Sequence, residues 1–147
     1  TKEDGLEKPI LNLLKDFGVK KYFFLDTTVP TLVRQTLQNK CKHFAVRVSQ
    51  FEPLEAAMKF SGKAQWVWLD CFYGKPMPVK TAEKLSKKFK ICLVSPELQV
   101  GNFDMLNSFR KLLPFVNAIC TKDIARWSET ARGKSRQSLQ SCTNAEL

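Results

Sequence analysis

The sequence predicts an α/β fold made of parallel βα units. Five short runs rich in β-branched and aromatic residues alternate with segments whose apolar residues recur every three or four positions. The polar residues that end the five runs (Asp26, Ser49, Asp70, Ser95, Lys122) are 23, 21, 25 and 27 residues apart, about one strand plus one helix. The runs are apolar at nearly every position, which is typical of parallel strands buried on both faces.

The elements follow in a regular order along the chain. The predicted strands are 21–26, 43–49, 64–70, 90–95 and 117–121. Helical spacing of apolar residues predicts helices at 6–17, 32–37, 54–58 and 105–113. A further helix at 81–88 is rich in lysine, and we interpret it as a solvated helix face without a site.

Length and composition predict one folded domain with a polar tail. The 147 residues are 44% hydrophobic and 26% charged, enough for a real core in a single domain at 1–127. Residues 128–147 hold few large aliphatic side chains and are predicted to be a disordered tail. The chain starts at Thr1 without a Met, so we expect sequence to be missing upstream.

Charge and cysteine content limit the function classes. The net charge of +10 favours phosphate, nucleic acid or anionic surfaces, although lysines that follow helices account for much of it. No apolar run reaches the 18 to 20 residues that a membrane span needs, and we expect a cytoplasmic protein. We interpret the five cysteines as reduced core residues: Cys41, Cys71, Cys92, Cys120 and Cys142. A chain whose single histidine is His43 offers no zinc site.

Polar residues at the ends of the strands mark the candidate site, because ligands of parallel sheets bind at the carboxyl ends of the strands. Arg47 lies in an otherwise apolar strand and needs a carboxylate or phosphate partner. If neighbouring strands follow the sequence order, as they do in a barrel, we expect Arg47 to lie between Asp26 and Asp70. Asp26 has two open interpretations, as the cap of the following helix or as a functional carboxylate.

Alternation along the strands predicts which side chains share a face. The three predicted sets are Tyr22, Phe24 and Asp26; Ala45, Arg47 and Ser49; and Trp66, Trp68 and Asp70.

Six motifs in order then suggest a family. They are Lys2-Glu3-Asp4-Gly5-Leu6; Tyr22-Phe23-Phe24-Leu25-Asp26 with Val29-Pro30; Phe44-Ala45-Val46-Arg47-Val48-Ser49 with Glu52; Val67-Trp68-Leu69-Asp70; Val94-Ser95-Pro96-Glu97-Leu98; and Cys120-Thr121. Over residues 2–127 the chain resembles the later strands, about four to eight, of the glycerophosphodiester phosphodiesterase and phosphatidylinositol-specific phospholipase C superfamily. The resemblance implies an incomplete (β/α)8 barrel that cleaves phosphodiesters with two histidines, nearby acidic residues and often a divalent cation, Ca²⁺ or Mg²⁺.

The resemblance also implies roles for individual residues. Lys2 would face the phosphate, with Asp4 as its neighbour or as a cation ligand. Arg47, Asp70 and Glu97 would line the substrate mouth, and Trp68 would form its apolar wall. The main cation ligands are expected outside this chain.

The sequence departs from the family at two places. The catalytic histidines are absent, and His43 begins a strand at the end opposite the expected site, so no catalytic residue is assigned in this chain. A Gly-Arg pair is expected after Leu98, but the chain has Gln99-Val100-Gly101-Asn102, so an arginine contact to phosphate is missing there.

These observations lead us to expect a barrel of the phosphodiesterase type that binds a small phosphodiester or phospholipid headgroup and is inactive as this chain alone. Its open edges are expected to cause self-association. The alternative is a basic, non-catalytic binding module of a nucleoprotein or other assembly. Nucleic acid is disfavoured because Phe23, Phe24, Trp66 and Trp68 lie in strands of the buried type.

Overall fold

The computed structural model describes residue 3 and residues 5–132. It contains a sheet of four parallel strands in the order β1 (Ala45–Val48), β2 (Trp66–Leu69), β3 (Lys90–Val94) and β4 (Ala118–Cys120). The predicted α/β class and parallel pairing are confirmed, as are four of the five predicted strands. Lys2 and Asp4 lie outside the described residues, as do residues 133–147 of the predicted tail.

Helices precede β1, fill the intervals between the strands and follow β4. They are α1 (Glu7–Asp16), α2 (Val29–Val33, continued by a π-helical turn at Arg34–Gln38), α3 (Leu54–Met58), α4 (Val79–Ser86), α5 (Pro96–Val100), α6 (Leu106–Phe109, continued by a 3₁₀ turn at Arg110–Phe115) and α7 (124–132). The Lys-rich α4 has a solvated face, on which Lys87 pairs with Glu83 at 2.9 Å. No helix in the described part of the chain is long and apolar enough to cross a membrane.

The prediction of a regular strand at 21–26 is wrong, because pairing is limited to one residue. Phe24 forms an isolated parallel bridge with Phe44. The Phe24 amide donates to the His43 carbonyl at 2.8 Å, and the Ala45 amide donates to the Phe24 carbonyl at 2.9 Å. Two residues later Asp26 adopts a φ of +57°, which lies in the left-handed region and does not continue an extended strand. The segment nevertheless lies parallel to β1 at the edge of the sheet.

One face of the sheet forms the main core with the helices. The buried strand residues of this core are Val46, Val48, Val67, Leu69, Ile91 and Leu93, and the helical residues include Ala57, Ala82, Leu85 and Phe109. These helical residues come from α3, α4 and α6, so three consecutive βα units place their helices on the same side.

The opposite face carries a cluster of aromatic rings. Arg47 is the register partner of Trp68, so both side chains lie on this face. Phe23 packs against Trp66 with ring centres 5.0 Å apart and against Trp68 at 6.3 Å. Phe24 instead stacks on Phe44 in the helix-covered core, 5.1 Å between ring centres. Phe23, and not Phe24, therefore joins the tryptophans.

The last described helix crosses the boundary predicted at residue 127. Residues 128–132 are helical, so the prediction of disorder is wrong for these five residues. Trp127 is buried and its indole Nε1 donates to Ser95 Oγ at 2.7 Å, which fixes α7 to the end of β3. The hydroxyls of Ser128 and Thr130 donate to carbonyls four residues earlier within α7, each at 2.9 Å.

The described cysteines are free thiols, as predicted. Cys71 and Cys92 are buried, while Cys41 and Cys120 are half-buried. Burial raises the pKa of Cys71 to about 11 and that of Cys92 to about 12, so both stay protonated near neutral pH. The fifth, Cys142, lies outside the described residues.

Candidate functional site at the strand ends

Arg47 is the centre of the candidate site. Its guanidinium forms ion pairs with Asp26 through Nη2 and with Asp70 through Nη1, the latter at 2.5 Å. The expected position of Arg47 between Asp26 and Asp70 is therefore confirmed. The reason is the parallel order of the segments, which brings the carboxyl ends of the Phe24 segment, β1 and β2 side by side.

Asp26 reaches Arg47 through its backbone conformation. Strand alternation would place Asp26 on the side of Phe24, away from Arg47. The left-handed φ of +57° interrupts that alternation, and aspartate tolerates this region better than most residues. The interpretation of Asp26 as a helix cap is wrong, because Thr28 is the N-cap residue of α2.

Asp70 is the buried member of the site, with 1% of its side chain exposed. Its Oδ2 faces Arg47, and its Oδ1 accepts a hydrogen bond from Gln99 Nε2 at 2.7 Å. Burial raises the pKa of Asp70 above its ordinary value of 3.8, although Arg47 and a hydrogen bond from the Trp68 side chain oppose the shift. Gln99 lies in α5, where the resemblance leads us to expect a Gly-Arg pair, and here it supports a carboxylate.

Glu52 is the third carboxylate near Arg47. Its Oε1 lies 3.6 Å from Arg47 Nε, and its Oε2 accepts a hydrogen bond from Ser49 Oγ at 2.7 Å. Ser49 Oγ also accepts from the amides of Phe51 and Glu52 at 3.1 Å each. This serine turn fixes the carboxylate beside the guanidinium.

Glu97 belongs to a separate network at the ends of β3 and β4. Its carboxylate accepts hydrogen bonds from Ser95 Oγ, from Thr121 Oγ1 at 2.6 Å and from the Lys122 amide at 3.1 Å. Partial burial raises the pKa of Glu97, but these hydrogen bonds outweigh it and hold the pKa below the ordinary 4.5. Glu97 thus joins two strand ends and makes no ion pair with Arg47 in the described part of the chain.

The structure brings Arg47, Asp70 and Trp68 together and leaves Glu97 apart, while Lys2 and Asp4 lie outside the described residues. His43 lies at the amino end of β1 and stacks on Tyr22, 4.6 Å between ring centres, at the opposite end of the sheet. Sequence reasoning missed Gln99 as a site residue. Glu52 was seen only as part of a motif, although the Ser-x-x-Glu spacing of Ser49 and Glu52 was a usable signal for a structured turn.

The divalent cation that the resemblance implies would take its main ligands from outside this chain. Among the described residues no group of three or more His, Cys, Asp or Glu side chains could hold a metal ion. The three carboxylates nearest the mouth each direct one oxygen at Arg47.

Comparison with known proteins finds no matching protein family, no similar curated protein and no similar solved structure.

Proposed function

We propose that this chain is the C-terminal part of a (β/α)8 barrel of the glycerophosphodiester phosphodiesterase and phosphatidylinositol-specific phospholipase C type, and that the complete barrel hydrolyses phosphodiesters. The ion-paired Arg47 at the carboxyl ends of neighbouring parallel strands is the observation that carries this proposal.

Strand order supports the barrel. Five consecutive segments, from the Phe24 segment to β4, are neighbours in space in the same order as in the sequence. A doubly wound sheet reverses its strand order at a switch point and carries helices on both faces. A barrel keeps its strands in sequence order and carries helices on its outer face alone. Here α3, α4 and α6 pack on one face, and Trp66, Trp68 and Cys92 lie on the face that would line the barrel interior.

Arg47 would bind the phosphate. A guanidinium has five N–H groups, and contacts with three carboxylates leave at least two of them for a ligand. Asp26 and Asp70 hold the side chain in place, so less conformational entropy is lost when a phosphoryl oxygen binds. Trp68 supplies an apolar wall beside the guanidinium.

The charge around Arg47 also suggests what the complete barrel adds. Asp26, Glu52 and Asp70 outnumber the one guanidinium, so a phosphate at this point needs further positive charge. We propose that this charge comes from Lys2, from the two histidines and from the Ca²⁺ or Mg²⁺ that the resemblance implies. The histidines and the main metal ligands would lie outside this chain.

The first test is the gene upstream of Thr1. The proposal expects three further βα units that encode two histidines and a Glu-x-Asp motif. An upstream region with a stop codon and no such units would refute the barrel.

The second test is activity. We expect the 147-residue chain to leave glycerophosphocholine and phosphatidylinositol intact and the extended protein to hydrolyse at least one of them. Arg47→Lys, which keeps the charge but loses the planar fork, should lower kcat/KM of the extended protein by roughly 10-fold to 100-fold. Arg34→Lys is the matched control, because Arg34 lies on a helix surface with a 3.3 Å contact to Thr31 Oγ1. Equal activity of the two variants would remove Arg47 from the phosphate site.

A further inference from the structure

The charges of the sheet are divided between its two ends. The carboxylates of the candidate site lie at the carboxyl ends of the strands. Exposed lysines collect at the amino ends: Lys20, Lys21, Lys42, Lys63, Lys88 and Lys90. The formal charge of +10 is therefore concentrated in part along one edge of the sheet.

Two adjoining grooves run along this edge. The first has a volume of about 440 Å³ and is lined by the cations Lys20, Lys21 and Lys90, and the second has about 310 Å³ and is lined by Lys42, Lys88 and Lys90. Gln65 and Lys90 line both grooves, and neither groove is lined by an Asp or Glu side chain. The five lysines form one surface, which we call the lysine edge.

The first groove also has aromatic walls. Tyr22, Phe23 and Trp66 line it and are half-buried, whereas the apolar strand pattern predicts buried rings for Phe23 and Trp66. The Lys90 ammonium lies 5.6 Å from the centre of the Trp66 ring. His43 lines the same groove, and its Nδ1 is buried without a hydrogen-bond partner in the described part of the chain. Aromatic surface, cations and an unsatisfied polar atom thus occur together.

Helix dipoles do not account for this arrangement. Lys88 follows the end of α4, where a cation is favourable. Lys90 instead lies within β3, opposite Trp66 in the register, and its exposed side chain extends from the aromatic face of the sheet. Lys20 and Lys21 precede the bridge at Phe24, four residues or more beyond the last residue of α1.

We propose that the lysine edge binds single-stranded nucleic acid. The five lysines lie at the amino ends of the Phe24 segment, β1 and β3, which with β2 between them span four neighbouring parallel segments. Strands are about 4.8 Å apart, so the row is about 15 Å long and suits a chain of phosphates better than one small anion. The aromatic walls of the first groove offer apolar surface to the unpaired bases of a single strand. In a duplex the bases are stacked inside and cannot reach these rings. This surface lies at the amino ends of the strands, which would be the bottom of the proposed barrel, whereas Arg47 lies at the carboxyl ends, so the two sites share no residue.

The experiment measures binding of a fluorescently labelled 12-nucleotide oligo(dT) to the 147-residue chain by anisotropy at several salt concentrations. Five lysine–phosphate contacts predict a slope of log K against log salt of about −3.5. The triple variant Lys20→Gln, Lys21→Gln, Lys90→Gln should bind at least 10-fold more weakly and lower the magnitude of the slope by about 2.

A second triple variant is the matched control. Lys80→Gln, Lys84→Gln, Lys111→Gln removes the same charge from exposed positions on α4 and the 3₁₀ turn after α6, and its slope should stay near that of the unmodified chain. Circular dichroism of both variants checks that the fold is kept. Equal losses in the two variants would overturn the proposal, because binding would then follow net charge alone. Binding of inorganic polyphosphate or of a 12-base-pair duplex as tight as that of oligo(dT) would also overturn it, because the bases would contribute nothing.

Discussion

Arg47 and Asp70 are 23 residues apart in the sequence and are joined by an Nη1–Oδ2 contact of 2.5 Å. The two side chains differ in exposure, 26% for Arg47 and 1% for Asp70. The buried Asp70 carboxylate is thus stabilised by a partly exposed cation. Because of this difference in burial, removing Arg47 leaves a buried charge without its counter-ion, and this lowers the free energy of unfolding.

Replacing Arg47 with methionine should destabilise the chain. The change leaves the Asp70 carboxylate buried with Gln99 and Trp68 as its remaining side-chain donors, at a cost of about 3 kcal/mol at pH 7. The loss should be smaller at pH 4, because the raised pKa of Asp70 lets it take up a proton. Urea unfolding followed by circular dichroism measures both values.

The double variant Arg47→Met, Asp70→Asn is the control for that prediction. It removes the buried charge and should recover most of the lost stability. If Arg47→Met alone were as stable as the unmodified chain at pH 7, the ion pair would have no role in the fold.

A comparison of Asp26 with Lys40 separates two contributions to stability, the Asp26–Arg47 ion pair and the strain of a positive φ. Both residues have positive φ, +57° and +52°, and neither is glycine. Lys40→Gly should stabilise the chain by up to about 1 kcal/mol, because glycine adopts this conformation without strain. Asp26→Gly relieves the same strain but breaks the ion pair, so its measured unfolding free energy should fall below that of Lys40→Gly. Equal effects of the two changes would mean that the Asp26 pair contributes nothing to stability.

Glu97 should contribute stability that depends on pH. Its folded pKa is lowered from 4.5, so the contribution is fully present above pH 4.5 and is lost as the pH falls through the folded value. Glu97→Gln should therefore be less stable than the unmodified chain at pH 6, with a smaller difference at pH 3.5. Asp70 has the opposite sign, because its raised pKa makes its ionisation disfavour the folded state as the pH rises.

Thermal unfolding at the two pH values tests the effect of Glu97. Glu83→Gln, at an exposed carboxylate paired with Lys87, serves as the control and should change little with pH. A Glu97→Gln difference that stays constant from pH 6 to pH 3.5 would contradict the prediction.

The free edge of β4 should lead to self-association. Among the described strands β4 pairs with β3 alone, so its other side presents unpaired backbone groups. We expect light scattering to detect dimers or larger species as concentration rises. Ala118→Lys, which puts a charge on this edge, should reduce association, whereas Ala125→Lys on the exposed surface of α7 should not. A chain that stays monomeric at high concentration would show that this edge is covered.

Local patterns were enough to predict the parallel sheet and the meeting of Asp26, Arg47 and Asp70. Apolar runs define strands, their spacing implies helical crossovers, and parallel strands bring their carboxyl ends to one edge of a sheet. An arginine in an apolar strand must find a carboxylate or phosphate, and the neighbouring strand ends supplied two.

Other features depended on contacts between residues distant in sequence. The left-handed turn at Asp26 and the single bridge at Phe24 decided that Phe23 joins Trp66 and Trp68, because one backbone angle changes which side chains face the sheet. Gln99 became a partner of Asp70 only because α5 follows β3, the neighbour of β2. The sequence by itself therefore determined the order of the strands and the charge at their ends, and the tertiary structure decided which polar groups meet, since hydrogen bonds depend on positions that no local pattern specifies.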